Sequence, residues 1–475
     1  MLFTEPMFLF YFLPAALIAH RISLAFSLPG TYSVLPRLVL FASTLIFYGL
    51  KQPWWLIPFF CSISFDFIWA SLISKTENSN HRKWLVAASI AQNLGLLAIF
   101  KYWPYLLQIV GKLSPGFEAS LPSLHQDGKP LPMPPGISFY TFESISFVID
   151  IYRRRLVAPK HFHEFFAFIG MFPRFVAGPI VRYEQIAGQF RHYGGMQWEK
   201  GLSIFLYGFC LKTLLADNVA VFVEYAFDHS RALSFPEAWL GVSAYALQIY
   251  FDFSGYSLMA IGLGYCLGFT FPQNFNRPYL ADSLTEFWRR WHITLSTWLR
   301  DYLYFPLGGN RYGPFRMYLA IFLTFALGGL WHGTRNTFIV WGVWHGAFLC
   351  LEKIFFNKRW YGRIWGHVYT LLVVWTGWVW FRATSGTDAL KVMRALFTPQ
   401  NFSFNAEPLH AFPISTAALA YGVIHCFILE RFIFQKHPEG EILNPVARFG
   451  IGLAAGLGLL LMLSAKTVPF LYFQF

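Results

Sequence analysis

The chain predicts an all-α polytopic membrane protein of about 12 spans, with re-entrant and interfacial helices between them. Three observations predict it. Of 475 residues, 56% are hydrophobic and 13% charged, against about 25% charged in an ordinary soluble domain. Apolar runs near the length needed to cross a bilayer recur evenly along the sequence. The Lys and Arg residues that give a net charge of +13 sit in short stretches between those runs rather than on a polar domain. A chain of this length has room for about three soluble domains. The even recurrence points instead to one membrane-embedded domain over residues 1–475. The same placement of charge makes it topological and gives no reason to expect a nucleic-acid partner.

Taken in order, the candidate spans are 6–25, 35–50, 54–74, 84–108, 137–151, 201–226, 239–270, 317–333, 338–352, 364–381, 411–430 and 449–470. The first lacks a basic leading region and a small-residue cleavage site, so it reads as a span rather than a removed signal peptide. Segment 162–181 is apolar but holds Pro173, Gly178 and Pro179. It reads as a broken or re-entrant helix, tolerated where protein or water satisfies the backbone. Basic stretches at Lys75–Lys83, Arg153–Lys160, Arg289–Arg316 and Lys353–Arg363 fall on one side of the span count, the cytoplasmic side. The opposite loops, 109–135 and 383–410, are poor in Lys and Arg, and twelve crossings put both termini outside. Five cysteines (Cys61, Cys210, Cys266, Cys350 and Cys426) are scattered singly, without metal-ligand spacing. They read as small buried hydrophobes.

Two stretches carry the chemistry. In TEFWRRWHITLSTWLRDYLYFPLGGNR (285–311), Phe287, Trp288, Trp291, Leu295, Trp298 and Leu299 recur near helical spacing, with Arg289, Arg290 and Arg300 largely on other faces. That pattern is an amphipathic helix at the membrane interface, and it carries His292. In MYLAIFLTFALGGLWHG (317–333), an apolar span ends at His332. An ionisable residue in lipid is expensive and marks a working site by default. The residues alone leave two readings open for each histidine: a working imidazole, or an anchor-helix passenger (His292) and a hydrogen-bonded packing group (His332). Imidazole is the natural general base near neutral pH. The 40 residues between them exclude alignment on one helix. No nucleophile elbow, zinc-protease motif or phosphate loop is present, and no carboxylate or cysteine nearby completes a metal site with the histidines.

FWRRWHITLSTWLRDYLYFPLGGNR and LWHG together resemble the membrane-bound O-acyltransferase family in its bacterial polysaccharide branch. That branch includes membrane proteins of alginate O-acetylation and teichoic acid D-alanylation. Three further pieces match it: PPGISFYTFESISFVIDIYR (134–153), FPRFVAGPIVRYEQI (172–186), and QIYFDFSGYSLMAIG (248–262) with NFNRPY (274–279). The resemblance implies spans and re-entrant helices around a central funnel. It carries the family's active-site histidine onto His332 and the branch's second histidine onto His292. It gives His345, in VWHG, no firm role beyond packing.

The expected activity is therefore O-acyl transfer, most simply acetyl, from a cytoplasmic thioester such as acetyl-CoA to an extracytoplasmic polysaccharide. No bound cofactor is expected. The protein would sit in a bacterial inner membrane among lipid and work with a periplasmic acetyltransferase partner. His332 would act as general base, with His292 assisting. Arg289, Arg290 and Arg300 suit donor phosphates, although positive-inside topology explains them equally well. Asp252, in YFDFSG, is a membrane-embedded carboxylate that either lines the funnel or makes structural hydrogen bonds. Two alternatives stand beside this reading: a non-enzymatic translocation or assembly factor, and an acyltransferase for lipid hydroxyls.

Overall fold

The computed structural model describes residues 1–27, 32–113, 125–126, 129–130, 133–176, 178–227, 232–355, 364–403, 407–437, 440–464 and 469–471. Lys358, Arg359, Arg363 and most of the 109–135 loop lie outside the described residues. The protein is helical, and the strands among the described residues form two short hairpins. In these, His125–Gln126 pairs with Lys129–Pro130 and Phe434–His437 pairs with Gly440–Leu443.

Each of the twelve expected spans falls on a helix, and among the described residues eight helical stretches are long and apolar enough to cross a membrane. These are Phe8–Ala25, Pro53–Lys75, Ser79–Tyr102, Trp198–Phe227, Pro314–His332, Asn336–Phe355, Pro413–Ile433 and Pro445–Met462. Val34–Gly49 is apolar but shorter. Ile137–Tyr152 is one expected span that lies outside those eight stretches. Its 16 residues are almost all buried in protein, including Ser138, Thr141, Glu143, Ser144 and Asp150. A helix surrounded by protein needs neither the length nor the uniform apolarity of a lipid-facing span.

The chain forms two compact units. The first comprises Met1–Gln197 with Gly264–Phe271. Polar contacts tie its helices together inside an apolar medium. Asn93 donates to the fully buried Asp66 at 2.6 Å. Arg82 donates to the carbonyls of Ile151 and Tyr152, capping the end of Ile137–Tyr152. The expected break in 162–181 is present: the helix Phe162–Ile169 ends at Gly170, and the chain continues buried and non-helical. Buried backbone of this kind must find partners. Glu143 supplies one by accepting from the Val181 N–H at 3.0 Å while pairing with the buried Arg174.

The second unit comprises Trp198–Leu263 with Pro272–Phe475. At its centre the helices Pro314–His332 and Asn336–Phe355 meet backbone to backbone. A Cβ added at Gly329 would overlap the Phe338 carbonyl oxygen, and one added at Gly342 would overlap that of Phe325. Glycine is therefore required at both crossing points, the small-residue packing typical of membrane helices.

Candidate active site

The stretch 285–311 is not one amphipathic helix. It is a helix Leu284–Arg290, a break, a helix Ile293–Leu299 and a π-helical turn Arg300–Tyr304. Of the predicted inward face, Phe287, Trp291, Leu295 and Trp298 are buried, while Trp288 and Leu299 are half-buried and line the cavity described below. The break falls at His292, whose φ of 42° lies in the left-handed region that costs a non-glycine residue free energy.

What maintains the break is Asn274, in the NFNRPY segment. Its backbone carbonyl accepts from the Ile293 N–H at 2.9 Å. Its side-chain oxygen accepts from the Thr294 N–H and hydroxyl and lies 3.1 Å from His292 Nδ1, while its amide donates to Ser257. A ring that donates from Nδ1 carries its lone pair on Nε2, the tautomer suited to accepting a proton. The ring is buried, with Phe253 edge-on at 4.6 Å.

A second tether fixes the preceding helix. Glu352, a buried carboxylate on Asn336–Phe355, accepts from the Leu284 N–H at 2.6 Å and from the Thr285 N–H and hydroxyl. A carboxylate at a helix N-terminus satisfies its orphan donors and complements its dipole.

His332 ends its helix almost buried, its ring perpendicular to Trp341 at 5.0 Å and beside Phe381 at 5.2 Å. It lines a cavity of about 560 Å³ walled by Leu284–Arg290, the segment from Ile293 to Tyr304, Pro314–His332 and Asn336–Phe355. Ligand pockets commonly span about 300–1,000 Å³. Three cations share that lining with His332: Arg289, Arg300 and Lys353. The side chains of Arg289 and Arg300 are 73% and 54% exposed. Both have acidic neighbours, Glu286 and Asp301. The cavity thus has a histidine in its wall and positive charge toward solvent.

The other expected site residues fall elsewhere. Arg290 is bound to Glu286 at 2.8 Å and is not among the lining residues. His292 is not among them either. Asp252 sits in a buried ion network: Lys212 lies 2.6 Å from both Asp252 and Asp217, and the Leu471 N–H donates to Asp252 at 2.8 Å. Among the described residues no cluster of three His, Cys, Asp or Glu is placed to hold a metal ion. His345 is fully buried against Trp288 and Trp341, at 5.1 and 5.3 Å, so Trp341 packs between the two histidines of its neighbourhood.

Four contributors escaped the sequence reading: Asn274, Glu352, Trp341 and Lys353. The first had a signal in its place within NFNRPY. Glu352 had another, as the one acidic residue in a mostly apolar helix.

The family model for the membrane-bound O-acyltransferases (MBOAT) matches residues 69–365. The chain belongs to that family and is a multi-pass membrane O-acyltransferase. It is 36% identical to the probable alginate O-acetylase AlgI of Azotobacter vinelandii and 37% identical to that of Pseudomonas putida, each alignment covering all of both chains. It is 34% identical to the peptidoglycan O-acetyltransferase of Helicobacter pylori, over 83% of this chain and 80% of that one.

Proposed function

We propose that the protein takes an acetyl group from a cytoplasmic thioester, acetyl-CoA or a similar donor, and passes it across the membrane for O-acetylation of an extracytoplasmic polysaccharide. The observation that carries this reading is the shared cavity of His332, Arg289, Arg300 and Lys353. A thioester is already activated. The enzyme must deprotonate the acceptor oxygen, whose attack on the acyl carbon breaks the C–S bond and releases the donor's thiol, and hold the two partners in register. His332 acts as general base. The three cations hold the donor's phosphates, for which guanidinium is well suited, and leave the thioester directed toward His332. His292, held by Asn274 and outside the cavity lining, assists by orienting the segment from Ile293 to Tyr304 that walls the cavity. Arg290 and Asp252 have structural roles, as helix pair and buried network.

The full-length similarity to two alginate O-acetylases and the extensive similarity to a peptidoglycan O-acetyltransferase support a polysaccharide acceptor and one acyltransferase domain over 1–475. The grouping of Lys and Arg in loops on one side supports an inner-membrane location with those loops in the cytoplasm. A periplasmic acetyltransferase completes transfer to the polymer, and the acyl group reaches it through a funnel continuous with the cavity.

The test is turnover of acetyl thioester by the purified, reconstituted protein and its His332→Ala variant. Loss of a general base costs about 10²–10⁴-fold in rate. Near-normal turnover by a folded His332→Ala protein would overturn the assignment. Acetylation of lipid without any partner would redirect the acceptor to a lipid hydroxyl.

A further inference from the structure

Two glycines lie about one turn before His332, and they face different ways. Gly329 is pressed against the neighbouring helix, where an added Cβ would overlap the Phe338 carbonyl oxygen. Gly328 lines the His332 cavity. A Cβ added there meets one atom within 4 Å beyond its own helix, Leu299 Cδ1 at 3.5 Å. That separation is ordinary van der Waals contact between two carbons. A single methyl group on Gly328 would therefore fill the space to Leu299, which also lines the cavity. Between these two residues the cavity is one methyl group thick.

Both walls are anchored. Gly328 belongs to Pro314–His332, which meets Asn336–Phe355 backbone to backbone at Gly329 and Gly342. Leu299 ends the helix Ile293–Leu299, whose first two N–H groups are held by Asn274.

The position of the narrow point matters as much as its width. On Pro314–His332 the lining runs along one face through Ile321, Thr324, Phe325, Gly328 and His332, a length of about 16 Å. The crossing brings Gly329 to Phe338, Gly342 to Phe325 and Gly346 to Phe322, so the two helices are antiparallel. Lys353, near the end of Asn336–Phe355, thus lies at the end of the cavity away from His332. Gly328 stands between them, about 6 Å along the axis from His332.

A donor whose phosphates sit with the cations and whose acyl carbon reaches His332 passes this point acyl group first. An unbranched acyl chain or a planar thioester is one methylene thick. A branch beside the carbonyl adds a second methyl, for which there is no room. Building on the reading of His332 and the cations given above, we propose that Gly328 and Leu299 form a slot that admits unbranched acyl groups to His332 and turns away acyl groups branched next to the carbonyl.

The experiment measures kcat/KM of the reconstituted full chain with acetyl-, propionyl- and isobutyryl-CoA. The last two have equal chain length and differ by one methyl branch. One methylene too many in a pocket is worth about 10–200-fold, so propionyl-CoA should be used at least tenfold better than isobutyryl-CoA. Leu299→Ala widens the slot and should bring that ratio below about threefold. Gly328→Ala fills the slot at ordinary contact distance and installs a better helix former. It should lower acetyl-CoA turnover at least tenfold without lowering the unfolding temperature and without changing the inhibition constant of free coenzyme A. If Gly328→Ala does not fold, the ratio in Leu299→Ala decides. Equal use of propionyl- and isobutyryl-CoA by the unaltered protein, full acetyl turnover in a folded Gly328→Ala protein, or an unmoved ratio in Leu299→Ala would overturn the slot. An unmoved ratio beside an inactive His332→Ala protein would do so while leaving the general base in place. Retained turnover in His332→Ala with a ratio that moves in Leu299→Ala would overturn the base and keep the slot.

Discussion

Gly329→Ala adds a single methyl group at the crossing of the two helices that present His332 and Trp341. The new Cβ would overlap the Phe338 carbonyl oxygen and lie 3.2 Å from the Gly342 Cα. Both obstacles are backbone, so no side chain can rotate away. The helices must part by roughly 1 Å to restore ordinary van der Waals distance. Overpacking of this kind costs about 1–3 kcal/mol of stability. The functional cost is larger, because Trp341 packs against His332 at 5.0 Å and moves with its helix. A displacement of about 1 Å in a catalytic array costs on the order of 10²-fold in rate. The assay pairs thioester turnover in proteoliposomes with thermal unfolding of the same preparation. Gly456→Ala, on a helix where an added Cβ meets nothing within 4 Å, is the control and should leave turnover unchanged. Full turnover and an unshifted unfolding temperature in Gly329→Ala would refute the claim that this crossing positions the histidine.

Three other outcomes are expected. Replacing Arg289, Arg300 or Lys353 with Glu should raise KM for a phosphate-bearing thioester at least tenfold with a smaller effect on kcat, and added salt should shrink the difference; an unchanged KM would return these cations to a purely topological role. His292→Ala should lower turnover more than donor binding, and the His292→Ala/His332→Ala double variant should be little worse than His332→Ala alone; unchanged turnover in His292→Ala would leave His292 as a structural residue of the helix break. In a cysteine-free background, Ser120→Cys on intact, outer-membrane-stripped cells should react with an impermeant thiol reagent and Leu156→Cys should not; the reverse pattern would invert the orientation.

Composition and spacing were enough to read the class of this protein, because a bilayer imposes constraints that sequence records directly. Span length, scarcity of charge and grouping of Lys and Arg all follow from the cost of polar groups in hydrocarbon. The break in 162–181 was legible for a similar reason, since Pro and Gly act on the local backbone. The buried stripe of Phe287, Trp291, Leu295 and Trp298 was legible because helical periodicity survives a single interruption. The interruption itself was not. Nothing at Trp291–His292–Ile293 forbids a continuous helix, and the left-handed φ at His292 depends on Asn274, eighteen residues away in sequence.

Sequence alone determined that His332 stands at the end of an apolar span and that Arg289 and Arg300 lie near one basic border. Only the tertiary structure decided that these three and Lys353 line one cavity, and that Arg290 and Asp252 do not. The physical reason is that backbone contact at Gly329 and Gly342, with Glu352 gripping the helix that begins at Leu284, brings together residues up to 64 positions apart. Hydropathy reports how each helix meets its surroundings, and it is silent on which helices close against one another.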